Sequence, residues 1–298
     1  MVSRFSVNGV LIVDKAEGLS SNQCLQRAKR LLEADKAGHT GSLDPLACGV
    51  LPLCFGEATK VAQFLLDADK TYRTIIRLGV KTTSGDRDGD IVATRPVPKF
   101  TIEQLIAVLE QFRGTITQQP SIYSALKQNG VPLYKLARAG KEIIPKFREI
   151  NIHGLDLLRW DHPEIELRVN CSKGSYIRTL AEDIGEALGT GAHVIFLQRE
   201  QAGPFTLRQS VTMEKLEMQV RDDPGSVVHY LLPVDMPLAH LRAIELDAVD
   251  TTSLRQGKSL DSDASQEEVV RVYTDDEFIG IGEIRADGRL YAKRLLSY

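Results

Sequence analysis

The chain has 298 residues, 43% of them hydrophobic, enough to bury a large core and to form one big domain and one small one. There is no run of about 18 apolar residues, which excludes a membrane-spanning helix, and the net charge of −3 does not advertise a nucleic-acid binder. The cysteines Cys24, Cys48, Cys54 and Cys171 show no CxxC or Cys/His ligand spacing, so they read as reduced core thiols of a cytoplasmic protein without a metal site.

In chain order, the first seven residues do not read as a signal peptide, because Asp14 and Lys15 interrupt the only apolar run. Gly9–Lys15 reads as a buried strand. Ser20-Ser21 caps a helix whose apolar positions Cys24, Leu25, Ala28, Leu31 and Leu32 share one face. The stretch Gly38-His39-Thr40-Gly41-Ser42-Leu43-Asp44-Pro45-Leu46-Ala47 has neither helical nor strand periodicity. Gly41 permits a positive φ, and Pro45 pushes Asp44 into an extended or turn conformation. The stretch predicts a sharply turned loop that presents Asp44 on an apolar base, or, more plainly, an Asx-turn with Asp44 bonded to backbone amides.

A second helix is expected around Glu57–Leu66 and a half-exposed strand over Lys70–Gly79. Residues 82–90, with Asp86, Asp88 and Asp90, mimic a metal loop but lack the distal Glu of a calcium site, so they read as a solvated hairpin turn. Thr101 and Gln104 form a capping box for a helix to about Phe112. Residues 127–148 set Lys127, Lys135, Arg138, Lys141, Lys146 and Arg148 against Glu142 alone, a local +5, around a short helix that starts near Pro132 and ends at Gly140. Such a patch can bind phosphate whatever the overall charge, so composition permits RNA binding without arguing for it. Strands follow at about 147–158 and 164–171, then a helix from Tyr176 to Leu188 and strands at Val194–Arg199 and Phe205–Leu207. From Pro237 short strands separated by Gly and Asp turns suit a small all-β module, although residues 241–298 carry eight basic against twelve acidic side chains. Helices and strands without strict βαβ alternation predict an α+β fold rather than a doubly wound sheet.

No Walker loop, GxGxxG element, HExxH helix or GxSxG elbow occurs, and His39, His193 and Ser42 have no hydrolase spacing. A cofactor-free site built on one carboxylate remains. The order G-H-T-G-S-L-D-P-L-A-x-G-V-L-P over residues 38–52, followed by G-E-A-T-K at 56–60, resembles the signature of the TruB family of tRNA pseudouridine synthases. The resemblance is strong over residues 9–80 and 119–207 and weaker over 237–298.

The resemblance implies the pseudouridine synthase fold, a mixed and mainly antiparallel central sheet with flanking helices over residues 1–236. It implies a PUA-like RNA-binding domain over 237–298. Asp44 matches the family's nucleophile and Tyr72 its active-site tyrosine, able to stack on an extruded uracil. Arg178, in Gly174-Ser175-Tyr176-Ile177-Arg178, matches the arginine paired with that Asp, expected to clamp it bidentately and hold its pKa low. Tyr176 and Leu197 match uridine-pocket positions, His39 a contact to flipped-out nucleotides, and Lys15 a basic residue in a motif whose usual D-K-P here reads Asp14-Lys15-Ala16. The basic insert matches a thumb that grips RNA through Lys127, Lys135, Arg138 and Lys141. The implied activity is conversion of uridine 55 in the TΨC arm of tRNA by a monomer needing no cofactor, metal or protein partner. Two other readings stay open: an RNA-folding chaperone, and a scaffold subunit of a guide-RNA ribonucleoprotein.

Overall fold

The computed structural model describes residues 7–297 except 122, 125, 142, 144, 145, 224 and 265, and only the backbone of Lys127, Pro132, Tyr134 and Arg138. The leading residues read above for a signal peptide therefore lie outside the described residues, apart from Val7.

The centre is a ten-stranded sheet. Its main path runs Val211–Thr212, Gly9–Lys15, Cys48–Phe55, Ala192–Ala202, Lys70–Leu78, Glu164–Cys171, Arg148–Asp161 and Gly114–Gln118. Two contacts on this path are parallel, Gly9–Lys15 with Val211–Thr212 and Cys48–Phe55 with Ala192–Ala202, and the others are antiparallel. The expected mixed, mainly antiparallel α+β fold is therefore present.

Side-chain alternation explains why the inner strands are apolar on both phases. In Gly9–Lys15, Leu11 and Val13 enter one core and Val10 and Ile12 the other. In Cys48–Phe55, Leu51, Leu53 and Phe55 join the first core, while Val50 and Cys54 join the second. The first core is covered by helices Ser21–Leu31, Ile102–Glu110, Ile177–Ala187 and Met213–Asp222, through Cys24, Leu105, Ile184 and Leu216 among others. Each such side chain contributes about 1.5–3 kcal/mol of burial. The capping boxes read at Ser20 and Thr101 both form, with Gln23 and Gln104 reaching back to the cap nitrogens.

The second core joins the sheet's opposite face to a separate five-stranded sheet through Phe278, Ile281 and Leu296. That sheet is ordered Ala243–Glu245, Glu268–Thr274, Glu277–Ile284, Arg289–Leu295 and Leu260–Asp261. The expected C-terminal β domain is present, and it also carries one helix: Asp247 accepts from Val249 N and Asp250 N and starts Ala248–Arg255, with Leu254 buried beneath the strands. The expected helix at Glu57–Leu66 is two pieces, a 3-10 turn over Gly56–Lys60 and a helix over Ala62–Asp67. No helix among the described residues is long and apolar enough to cross a membrane.

Candidate active site

A cleft of about 370 Å³ opens where the Asp44 loop, the start of Lys70–Leu78 and the N-terminus of Ile177–Ala187 converge. Asp44, Tyr72, Tyr176, Arg178 and Leu197 all line it. Residues separated by more than 150 positions in sequence are thus brought together on one wall.

The loop is pinned at both ends. Ser21 Oγ accepts from Leu43 N at 2.7 Å, Thr40 N donates to Pro52 O at 3.1 Å, and Gly18 N donates to Pro45 O at 2.8 Å. Leu43, Leu46 and Ala47 are buried, which gives the apolar base the sequence predicts. Asp44 accepts Ala47 N with its main-chain oxygen, whereas its carboxylate meets Arg178. The carboxylate is therefore not spent on the loop's own backbone.

Arg178 is 4% exposed and lies in the first turn of Ile177–Ala187, where the helix dipole disfavours a cation. Carboxylates and carbonyls compensate. Nε lies 2.9 Å from Asp44 Oδ2, Nη1 donates to Ser84 O at 2.8 Å, and Nη2 donates to Tyr123 O at 3.4 Å. The expected two-bond clamp on Asp44 is replaced by one bond, because the other two nitrogens hold separate loops. Gln118, itself buried, fixes the helix start by accepting from Tyr176 N at 3.0 Å and donating to Tyr176 O at 3.1 Å.

Asp86 is the first residue missed in sequence. The turn at residues 82–90 is folded onto the sheet, not solvated as expected. Arg87 N donates to Val194 O, Val194 N donates to Gly85 O, and Asp86 is 5% exposed with Oδ2 3.6 Å from Arg178 Nη1. Ser84 Oγ and Asp88 N both donate to Asp86 Oδ1. Gly85, at φ 74°, is needed here because a Cβ would press on Glu182 at 3.1 Å. Arg178 is thus held between Asp44 and Asp86. Among the described residues no group of His, Cys, Asp or Glu is placed to hold a metal, and Asp86 faces a guanidinium instead.

Burial pushes the Asp44 carboxyl above its ordinary value, against the pull of Arg178 and Lys15 and with help from Asp86. The low pKa expected from the Arg178 pairing is therefore corrected: a single bond does not offset the loss of water. Burial also raises the Tyr72 phenol, opposed by Arg199. Arg199 is the second residue missed, 1% exposed and lining the same cleft. Lys70, beside Tyr72, is pushed down to about 8 by burial, with Nζ donating to Leu65 O and Leu66 O.

Two residues named from sequence do not line the cleft. Lys15 is fully buried, and its Nζ closes the following turn by donating to Ala16 O at 2.9 Å and Leu19 O at 2.6 Å. These bonds hold it beneath the cleft, where its charge still acts on Asp44. His39 sits in the short strand Ala37–His39, also outside the cleft wall, with a buried Nδ1 lacking a partner. Within 127–148 the expected short helix forms at Leu133–Arg138, after a two-residue hairpin at Lys127–Gln128 and Val131–Pro132. Lys135 and Lys141 are exposed, while the side chains of Lys127 and Arg138 lie outside the described residues. Arg148, at the far end, returns to the cleft and stands over the Tyr176 ring at 5.9 Å.

The central mixed sheet, with a carboxylate and an aromatic neighbour in a cation-lined cleft, has the pseudouridine synthase fold. Solved structures with this fold include a Cbf5-Nop10-Gar1 complex (TM-score 0.74, 24% identity, 98% of this chain and 84% of that one). Another is an H/ACA RNP bound to a substrate RNA containing 2′-deoxyuridine (TM-score 0.74, 22% identity, 97% and 85%). Three family models match consecutive stretches: TruB family pseudouridylate synthase (N terminal domain) at 29–177, tRNA pseudouridylate synthase B C-terminal domain at 178–239, and Pseudouridine synthase II TruB, C-terminal at 243–296. The chain is 50% identical to tRNA pseudouridine synthase B of Coxiella burnetii over 97% of its own length and 95% of that protein. It is 48% identical to tRNA pseudouridine synthase B of Pseudomonas aeruginosa over 98% and 97%. The chain belongs to the TruB family.

Proposed function

We propose that the chain converts uridine 55 in the TΨC arm of tRNA to pseudouridine, with Asp44 as the nucleophile. Its curated relatives are named as tRNA pseudouridine synthases, which supports tRNA as the substrate. The observation that carries the reading is Asp44, held at the edge of a cleft by Arg178 and facing Tyr72 and Leu197. A uridine inside a folded loop reaches such a cleft only after flipping out, at a cost of roughly a few kcal/mol.

Asp44 then attacks the nucleotide, with uracil C6 and ribose C1′ as the two open points of attack. The bond from C1′ to N1 breaks, the base turns, a bond from C1′ to C5 forms, and the bond to Asp44 is released to return the free carboxylate. C5 loses its proton and N1 gains one, so the reaction is redox-neutral. Tyr72 supplies a stacking surface and a phenol for the proton steps, while Arg178 aims Asp44. Residues 1–236 are the catalytic unit in this reading, 127–148 its RNA-gripping thumb and 237–298 an RNA-binding module.

The test is pure protein with an unmodified tRNA transcript, followed by mapping of pseudouridine. Conversion at position 55 without any guide RNA is expected, and none by Asp44→Asn. Conversion that requires a guide RNA would favour the ribonucleoprotein scaffold instead.

A further inference from the structure

Arg199 is one of the largest fully buried side chains of the protein, and its donors go to carbonyls rather than to a carboxylate. Nε donates to Val50 O at 2.7 Å, in the strand beneath the Asp44 loop, and Nη2 donates to Gly41 O at 3.1 Å, inside that loop. A buried guanidinium is tolerated only where its donors are used, so these bonds mark a fixed position. The backbone is equally constrained. Gly49, at φ 102°, lies so close that a Cβ there would come 2.3 Å from Arg199 O.

Arg199 stands directly opposite Tyr72 in the antiparallel pairing of Ala192–Ala202 with Lys70–Leu78. Both side chains line the cleft, and Nη1 is the nitrogen that Val50 and Gly41 leave over. One planar group thus connects the loop bearing Asp44, the strand below it and the aromatic residue facing it. At 1% exposure it is too enclosed to serve as a main contact for an incoming nucleotide.

We propose that Arg199 is a positioning residue for the isomerisation, fixing the Tyr72 phenol relative to the Asp44 loop. The proposal rests on the reading of Asp44 and Tyr72 given above. The base must detach, turn and reattach, and only a phenol held still relative to the nucleophile stays aligned throughout. A lysine keeps the charge but cannot bond both carbonyls in one plane while still facing the phenol.

The test is a double-mutant cycle read by single-turnover conversion of a tRNA transcript at saturating protein. Arg199→Lys is compared in the wild-type and Tyr72→Phe backgrounds, over hours so that very slow rates are still measured. Arg199→Lys is expected to slow the wild-type step about tenfold or more, with tRNA Kd changed less than about threefold, and to change the Tyr72→Phe rate less than about threefold. The same factor in both backgrounds overturns the proposal, as does a wild-type rate for Arg199→Lys. Arg199→Gln, which keeps a donor and drops the charge, decides the matter by the same non-additivity should the lysine variant lose cooperative unfolding. Turnover by Asp44→Asn, run alongside, would instead overturn the reading beneath the proposal.

Discussion

Arg178 gives each of its three nitrogens a different destination, Asp44, Ser84 O and Tyr123 O, and so ties Asp44 to two loops at once. A point-charge ammonium reaches one of these, so Arg178→Lys is expected to lose roughly a hundredfold in single-turnover rate, about 3 kcal/mol. A rate within about threefold of wild type would show that charge alone suffices. Asp44 makes a second prediction, on stability. Its carboxyl titrates above its unfolded value of 3.8, so the folded chain binds more protons than the unfolded chain between the two values. The resulting stability is complete below the unfolded value and is lost as the pH rises through the folded one. At pH 7 the ionised group is therefore a burden, and Asp44→Asn is expected to unfold at a higher temperature than wild type, the gap closing toward pH 4. Thermal scans across that range check it; a lower midpoint at pH 7 would mean that the Arg178 bond outweighs burial. That Asp44, Tyr72, Tyr176, Arg178 and Leu197 share one cleft was legible only through the family resemblance, since each alone reads as an ordinary loop, strand or helix residue. Asp86 was not, since a run of aspartates in a turn reads as solvated until a buried arginine is known to face it.

At the scale of elements, the strand Cys48–Phe55 went unread because Gly49 and Pro52 look like breakers. Gly49 is there to admit the backbone of Arg199, and Pro52, though lacking an N–H, still accepts Thr40 N. The signal for Arg199 was present but faint: in Ala192–Ala202 it shares the inward phase with Leu197 and so is a charge on the buried face. Capped helices were legible to within a residue or two, because Ser20 and Thr101 announce themselves through Gln23 and Gln104. The basic segment was legible as a short helix, and its role is open to test. Lys135 and Lys141 are exposed on or just beyond Leu133–Arg138, at a place whose two ends, Leu126 and Arg148, line the cleft. Replacing Lys135, Arg138 and Lys141 by Ala is expected to weaken tRNA binding and flatten the slope of log K against log salt, by about 0.7–0.9 per lost phosphate contact. The saturated rate should fall much less, since Asp44, Tyr72 and Arg178 are untouched. An unchanged slope would place the grip elsewhere on the surface.

For the whole molecule, the change of texture near Pro237 marks a small module in the sequence, yet the packing is continuous across it. Phe278, Ile281 and Leu296 share one core with Val10, Ile12, Val50 and Leu65 of the large sheet and its flank. Polar contacts reinforce the seam: Tyr273 OH donates to Asp235 at 2.6 Å, Ser297 N donates to Glu57 at 2.6 Å, and Lys60 Nζ donates to Leu295 O at 3.1 Å. Sequence could not reveal this, because apolar alternation says which face is buried but not against what. Two sheets that share a core unfold together when the shared contacts outweigh the independent stability of either part. Thermal unfolding of the full chain is therefore expected to be one transition, and Leu296→Ala, which opens a cavity at the seam, to lower its midpoint as a whole at a cost of about 2–4 kcal/mol. Calorimetry with near- and far-ultraviolet circular dichroism would follow both. Two separate transitions, with only the minor one moved by Leu296→Ala, would show the small sheet to be a unit that melts alone.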